Sequence, residues 1–238
     1  MTALLIPLIV FCAVFTQSLT GFGVALVSMP LLVSVLDLQT AAPLVALIGL
    51  ATEIILVLRY RLDVNRRRVI RLLLPSLIGV PIGVFALREV GEAVLIPLLG
   101  VLILVYALYA LWNPQLPSPS GKGWAYGAGF IGGLFGGAYN TSGPPVIVYA
   151  DSQKWPRAEF KGNLQGYFLF TTLFIVGGHL LAQNYNQAIL REFLISLPGL
   201  LLGVAAGLWL DGRINAVVFR RLVLILLVIL GVRFVVPF

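Results

Sequence analysis

The length of the apolar runs limits the fold more than any other feature of this chain. Residues 3–36 contain no charged side chain, and further apolar runs lie near 41–58, 70–88, 93–112, 164–182, 193–210 and 219–236. A hydrocarbon core about 30 Å thick is crossed by about 20 apolar residues in a helix, which is close to the length of most of these runs. Composition agrees: 60% of the 238 residues are hydrophobic and 11% are charged, against roughly 25% charged in a soluble domain. The chain therefore reads as an all-α integral membrane protein. Its net charge of +7 then belongs to loops on the cytoplasmic side and not to a nucleic-acid surface. The lone Cys12 excludes an internal disulfide. The opening MTALLIPLIVFCAVF lacks a basic region, and its apolar run continues past any cleavage site, so it is expected to be a retained segment.

Two of the runs are written to break. Residues 130–150 read FIGGLFGGAYNTSGPPVIVYA, with small polar side chains and two prolines between apolar flanks. Gly143, Pro144 and Pro145 stop regular hydrogen bonding, and freed backbone groups survive in a bilayer only where protein or a wet cavity satisfies them. The expected pieces are 124–137 and 138–150. A fainter copy, TQSLTGFGVALVSMPLLV at 16–33, divides residues 3–36 into pieces near 3–19 and 24–36. Setting Gly21 on Gly136 places Met29-Pro30 on Pro144-Pro145, an offset of 115. Downstream, Gly79 and Gly83 align with Gly203 and Gly207 at an offset of 124. The chain thus reads as a duplication: a first repeat over 1–112, a Pro/Ser/Gly-rich linker over 113–123, and a second repeat over 124–238.

Charge selects the topology. If each half holds about five elements and opens with a hairpin, one side receives the arginines of 59–71 together with Lys122, Lys154, Arg157, Lys161, Arg213, Arg220 and Arg221. The other side receives only Arg88, Arg191 and Arg233. The positive-inside rule favours this arrangement, with both termini outside and the linker in the cytoplasm. An odd number of elements per half makes the two repeats inverted, the plan of alternating-access transporters. Pieces of 13 or 14 residues reach only about 20 Å, so each opening hairpin is expected to be re-entrant, with its tip near the midplane.

The paired glycine-then-proline stretches, Gly21-Phe22-Gly23 to Pro30 and Gly136-Gly137 to Pro145, resemble the TauE/SafE family of membrane permeases. The run Thr141-Ser142-Gly143-Pro144-Pro145 carries most of the likeness, and Trp155-Pro156-Arg157 and Phe160 fit it too. The resemblance covers essentially the whole chain. It implies an exporter of small sulfur-containing or organic anions such as sulfite or sulfoacetate, coupled to protons, in a prokaryotic inner or plasma membrane. The partners it implies are a small anion and the lipid bilayer, without nucleic acid, and a homo-oligomer is compatible with it.

The residues themselves suggest how an anion would be held. Helix N-termini present unpaired N–H groups and the positive end of the helix dipole, and pieces starting near Gly23 and Gly143 place such ends inside the membrane. Glycines let a ligand approach the backbone, which nominates Gly21, Gly23, Gly136, Gly137 and Gly143; Gly100 is expected to face outward. Tyr139, Asn140, Thr141 and Ser142 add polar groups at the second break, as do Gln17, Ser18 and Thr20 at the first. Asn163 and Gln165 open a segment and either cap it or face the site. The competing reading is that the glycines only pack helices. Glu53, the one acidic residue well inside a span, is a proton-coupling candidate, although Arg59 lies near enough in sequence to pair with it. His179, the only histidine, is a second candidate or an interfacial residue. Arg157 is either an inside-positive charge or a group at the cytoplasmic mouth. One histidine, one cysteine and no HExxH motif argue against an enzyme, and neither a metal nor a cofactor is expected. A passive anion channel remains the alternative to a carrier.

Overall fold

The computed structural model describes residues 2–114, 116–119 and 121–236. Of the linker expected at 113–123, positions 115 and 120 lie outside the described residues. Ten α-helices follow one another among the described residues: α1 (Thr2–Thr20), α2 (Val24–Val33), α3 (Leu38–Tyr60), α4 (Arg66–Glu89), α5 (Glu92–Trp112), α6 (Lys122–Tyr139), α7 (Gly143–Ser152), α8 (Arg157–Leu181), α9 (Gln187–Leu210) and α10 (Ala216–Val235). Five of them, α3, α4, α5, α8 and α9, are long and apolar enough to cross a membrane. Asp37, Asn65, Asn186 and Asn215 each cap the helix that follows by accepting a first-turn N–H, as short polar side chains do at helix starts.

Both breaks come from backbone conformation. At the first, Gly21 and Gly23 adopt φ of 93° and 126°, values open to glycine but strained for other residues. At the second, Asn140 takes φ 53°, and asparagine is among the non-glycine residues that enter this region most readily. Pro144 and Pro145 then fall in the first turn of α7, where a missing N–H costs no helical hydrogen bond.

The arms of the two hairpins are unequal, which corrects the expected pieces. α1 and α6 have 19 and 18 residues, and α2 and α7 have 10 each. At 1.5 Å per residue the first arms run about 27–28 Å and the second about 15 Å. α6 remains helical through its glycines because α4 lies directly against it. A side chain added at Gly129, Gly133 or Gly137 would strike the carbonyl oxygen of Leu72, Ser76 or Val80. α9 rests on α1 in the same way, with Gly199, Gly203 and Gly207 against the backbone of Pro7, Phe11 and Phe15. Small residues let membrane helices approach this closely. Gly100 is not outward-facing: a Cβ there would lie 2.7 Å from the Phe234 Cβ of α10.

α3 and α8 form the centre of the bundle, 61% and 56% buried along their apolar windows, against 33% for α5 and 28% for α9. One end of the molecule gathers charges. There Lys161 Nζ donates to Asp211 (2.8 Å) and to the Leu19 carbonyl at the end of α1 (3.1 Å). Arg157 pairs with Asp211, Arg68 with Glu159 and Arg220 with Asp151. At the other end the Leu38 N–H donates to Glu92, and the Tyr139 hydroxyl at the end of α6 donates to the Leu95 carbonyl at 3.0 Å. α1 thus runs toward the basic end and α6 away from it. The linker is tacked to the end of α7, where Ser118 Oγ donates to the Ser152 carbonyl at 2.7 Å.

Candidate functional site

The two breaks meet around a cavity of about 20 Å³, lined by Gln17, Phe22, Gly23, Val24, Ala25, Leu26, Gly49, Glu53, Asn140, Thr141, Ser142, Gly143 and Phe168. One water molecule needs roughly 10–15 Å³, so the cavity has space for about one water. Its depth follows from α3: Gly49 lies 11 residues after Leu38, roughly 16 Å along a helix of 23 residues. The cavity is therefore near mid-span.

Two glutamines hold the first break open. Gln17 Oε1 accepts the Val24 N–H at 3.0 Å, and Gln17 Nε2 donates to Gln165 Oε1 at 3.3 Å. Gln165 Nε2 in turn donates to the Gly21 carbonyl at 2.7 Å. Behind Val24, the N–H groups of Ala25 and Leu26 meet no acceptor among the described residues, nor do those of Ser142 and Gly143 on the other side. These are the orphan donors that every helix start presents, and here two helix starts bring them to one cavity. Asn140, Thr141, Ser142 and Glu53 are all buried around it.

The Glu53 Oε2 and the Asn140 Oδ1 are buried without a partner. Among the described residues Glu53 has no ion pair, and Arg59 stands over the Tyr60 ring instead (5.6 Å). Two unpartnered oxygens in a cavity edged by N–H donors form a site of mixed character. A neutral carboxyl at Glu53 supplies a proton there, and an ionised one repels any anion beside it.

The structure brings together Gln17, Gly23, Asn140, Thr141, Ser142, Gly143 and Glu53, and places the other candidates elsewhere. Gly137 is spent on the contact with α4, and a Cβ at Gly136 would meet Ser142 and Ile175 at 3.2 and 3.1 Å. Ser18 Oγ turns back to the Val14 carbonyl, Thr20 bonds the Thr16 and Phe22 carbonyls, and Tyr139 is tied to α5. Asn163 accepts the Asn65 N–H at 2.6 Å and so braces the start of α4. Gln165 acts one step back, through Gln17 and Gly21. Gly21 itself touches Lys161, whose Cγ is 2.9 Å from its Cβ position. His179 is buried at the end of α8, paired with Asn184 at 2.9 Å and away from the cavity. Arg157 lines a wider opening at the basic end. Reasoning from the sequence missed Phe22, Gly49 and Phe168. Gly49 could have been found as the small residue one turn before Glu53 on the same face.

These features define a class: a polytopic helical membrane protein whose small polar site is buried between discontinuous helices. The family description "Sulfite exporter TauE/SafE" matches residues 6–234. The chain belongs to that family, which is one of membrane transporters and not of enzymes. It is 29% identical over 164 residues to a protein of Cupriavidus necator described as "Probable sulfite/organosulfonate exporter TauE". That match takes in 66% of this chain and 64% of the relative, so the chain spans less than two thirds of the relative's length. No solved structure matches the chain.

Proposed function

We propose that this protein is a secondary transporter that carries small sulfur-containing or organic anions, sulfite and sulfonates foremost, out of the cell by alternating access. One observation carries the reading: two broken helices bring unbonded N–H groups to a polar cavity at mid-span. Such donors suit an oxyanion in a medium where a fixed positive charge would be costly. The description of the Cupriavidus relative points to the same substrate class.

Alternating access would come from two inverted halves, α1–α5 and α6–α10. Supporting this, Gly21 and Asn140 both have positive φ and lie 119 positions apart. Their N–H groups donate to Gln17 and Gly136 carbonyls at the same spacing. α2 and α7, each of 10 residues, begin at Val24 and Gly143, again 119 apart. The register of 119 replaces the 115 suggested by aligning glycines and prolines. In the same frame Glu53 corresponds to Thr172, and both side chains stand beside Gly49. The basic end would face the cytoplasm of a prokaryotic cell, leaving both termini outside, and Glu53 would carry the coupling proton. In proteoliposomes, sulfite or sulfonate uptake should saturate and show counterflow. Unitary currents without counterflow would make the protein a channel.

A further inference from the structure

Phe22 lies where the central cavity and the basic end of the molecule come together. At that end a vestibule of about 430 Å³ is lined by four cations, Arg157, Lys161, Arg220 and Arg221, against one carboxylate, Asp151. Phe22 lines both this vestibule and the central cavity and is buried, 7% exposed. Its ring is held edge-on by Tyr106 (centroids 6.4 Å apart) and Phe160 (6.5 Å). Phe22 sits between Gly21 and Gly23, whose φ values of 93° and 126° lie in the region that favours glycine.

The vestibule cations are not equivalent. Lys161 and Arg157 are both engaged by Asp211, each at 2.8 Å. Arg220 has only a longer pairing, 3.6 Å to Asp151, and its Nε is buried without an acceptor. Its guanidinium stands 5.4 Å above the Phe22 ring. We propose that Arg220 forms a receiving site for a small oxyanion in the vestibule, and that Phe22, swinging on its paired glycines, is the gate between that site and the central cavity. This rests on reading the central cavity as the anion site. An oxyanion at Arg220 would supply the missing acceptor and draw the guanidinium off the ring. That loosens the cation–π contact, so arrival of the anion and release of the gate are one event. A planar fork of donors suits a three-oxygen anion such as a sulfonate or sulfite.

The test does not depend on identifying the substrate. Ser142→Cys, in a Cys12→Ser background, puts a thiol in the central cavity. Membrane vesicles with the basic face outward are treated with the anionic reagent 2-sulfonatoethyl methanethiosulfonate and with its cationic trimethylammonium counterpart. Phe22→Ala should raise both modification rates roughly tenfold, equal to about 1.4 kcal/mol off the barrier. Phe22→Leu is read in its place should the alanine variant not purify as a folded protein, and should give a smaller rise. Arg220→Gln should lower the ratio of the anionic to the cationic rate about 5- to 10-fold through loss of local attraction, while Arg220→Lys restores much of it. Unchanged rates in the folded Phe22 variant overturn the gate, and an unchanged ratio of the two rates in Arg220→Gln overturns the receiving site. Should the central cavity not be the substrate site, transport would survive modification of the thiol introduced by Ser142→Cys, and the rates would still report on the gate.

Discussion

Glu53→Gln is the substitution with the largest consequence for transport. The cavity has room for about one water and Glu53 lines it, so a bound anion must lie in contact with the carboxyl. Two unit charges about 4 Å apart at an effective dielectric constant of about 20 interact by about 4 kcal/mol. If Glu53 is ionised, that repulsion weakens anion binding by roughly 10³-fold. Under the proposed function, the anion then binds while Glu53 is protonated. The other cavity side chains, Gln17, Asn140, Thr141, Ser142 and Phe168, do not titrate. Binding of 2-hydroxyethanesulfonate, which stays ionised throughout, should be followed by calorimetry between about pH 5 and 9. Affinity of the parent should fall about tenfold per pH unit once Glu53 begins to ionise. Glu53→Gln should bind with the parent's low-pH affinity at every pH, and a pH gradient should no longer drive its transport. A pH profile in Glu53→Gln like that of the parent would refute the reasoning.

At the second break, Asn140→Ala and Ser142→Ala should each weaken anion binding roughly 5- to 30-fold, about 1–2 kcal/mol for a lost hydrogen bond; titrations matching the parent would move the site elsewhere. Gly133→Val and Gly137→Val, which drive a side chain into the carbonyls of Ser76 and Val80, should destabilise the α4–α6 contact by about 1–3 kcal/mol. A thermal-shift assay reads this, and an unchanged Tm would contradict the contact. Asp211→Asn leaves the buried Lys161 (side chain 5% exposed) without its carboxylate, a loss of about 3–5 kcal/mol. Adding Lys161→Met to that variant should recover much of the lost stability, and no recovery would mean the pair is not what Asp211 contributes. For topology, Ser118→Cys in a Cys12→Ser background should resist an impermeant thiol reagent applied to intact cells, while Gly91→Cys should react; labelling of the former would reverse the orientation.

The ten helices were largely legible because each apolar run is bounded by charges or by Gly and Pro. α5, expected at 93–112, occupies Glu92–Trp112. What misled was the meaning of individual glycines. Sequence alone does not separate a glycine that yields room to a ligand from one that yields room to a neighbouring helix. Gly143 lines the central cavity, whereas Gly137, only six residues earlier, packs against Val80. Under the proposed repeat, the left-handed positions Gly21 and Asn140 would correspond, a pairing that matching glycines to glycines and prolines to prolines does not reveal. Phe22 and Gly49 escaped notice because an aromatic or a glycine in an apolar run is ordinary until its partners across the bundle are known. Glu53 stood out, since a lone carboxyl in a span is costly without a purpose.

The central claim is that an oxyanion sits between the starts of α2 and α7. Selenite, the heavier analogue of sulfite, tests it most directly through a crystal structure recorded at the selenium absorption edge. The anomalous peak should lie in the cavity bounded by Gln17, Glu53 and Asn140, with its oxygens in hydrogen-bond range of the Gly143 N–H and of the Ala25 or Leu26 N–H. An ordered selenite bound at another place, with this cavity still holding space for about one water, would contradict the account.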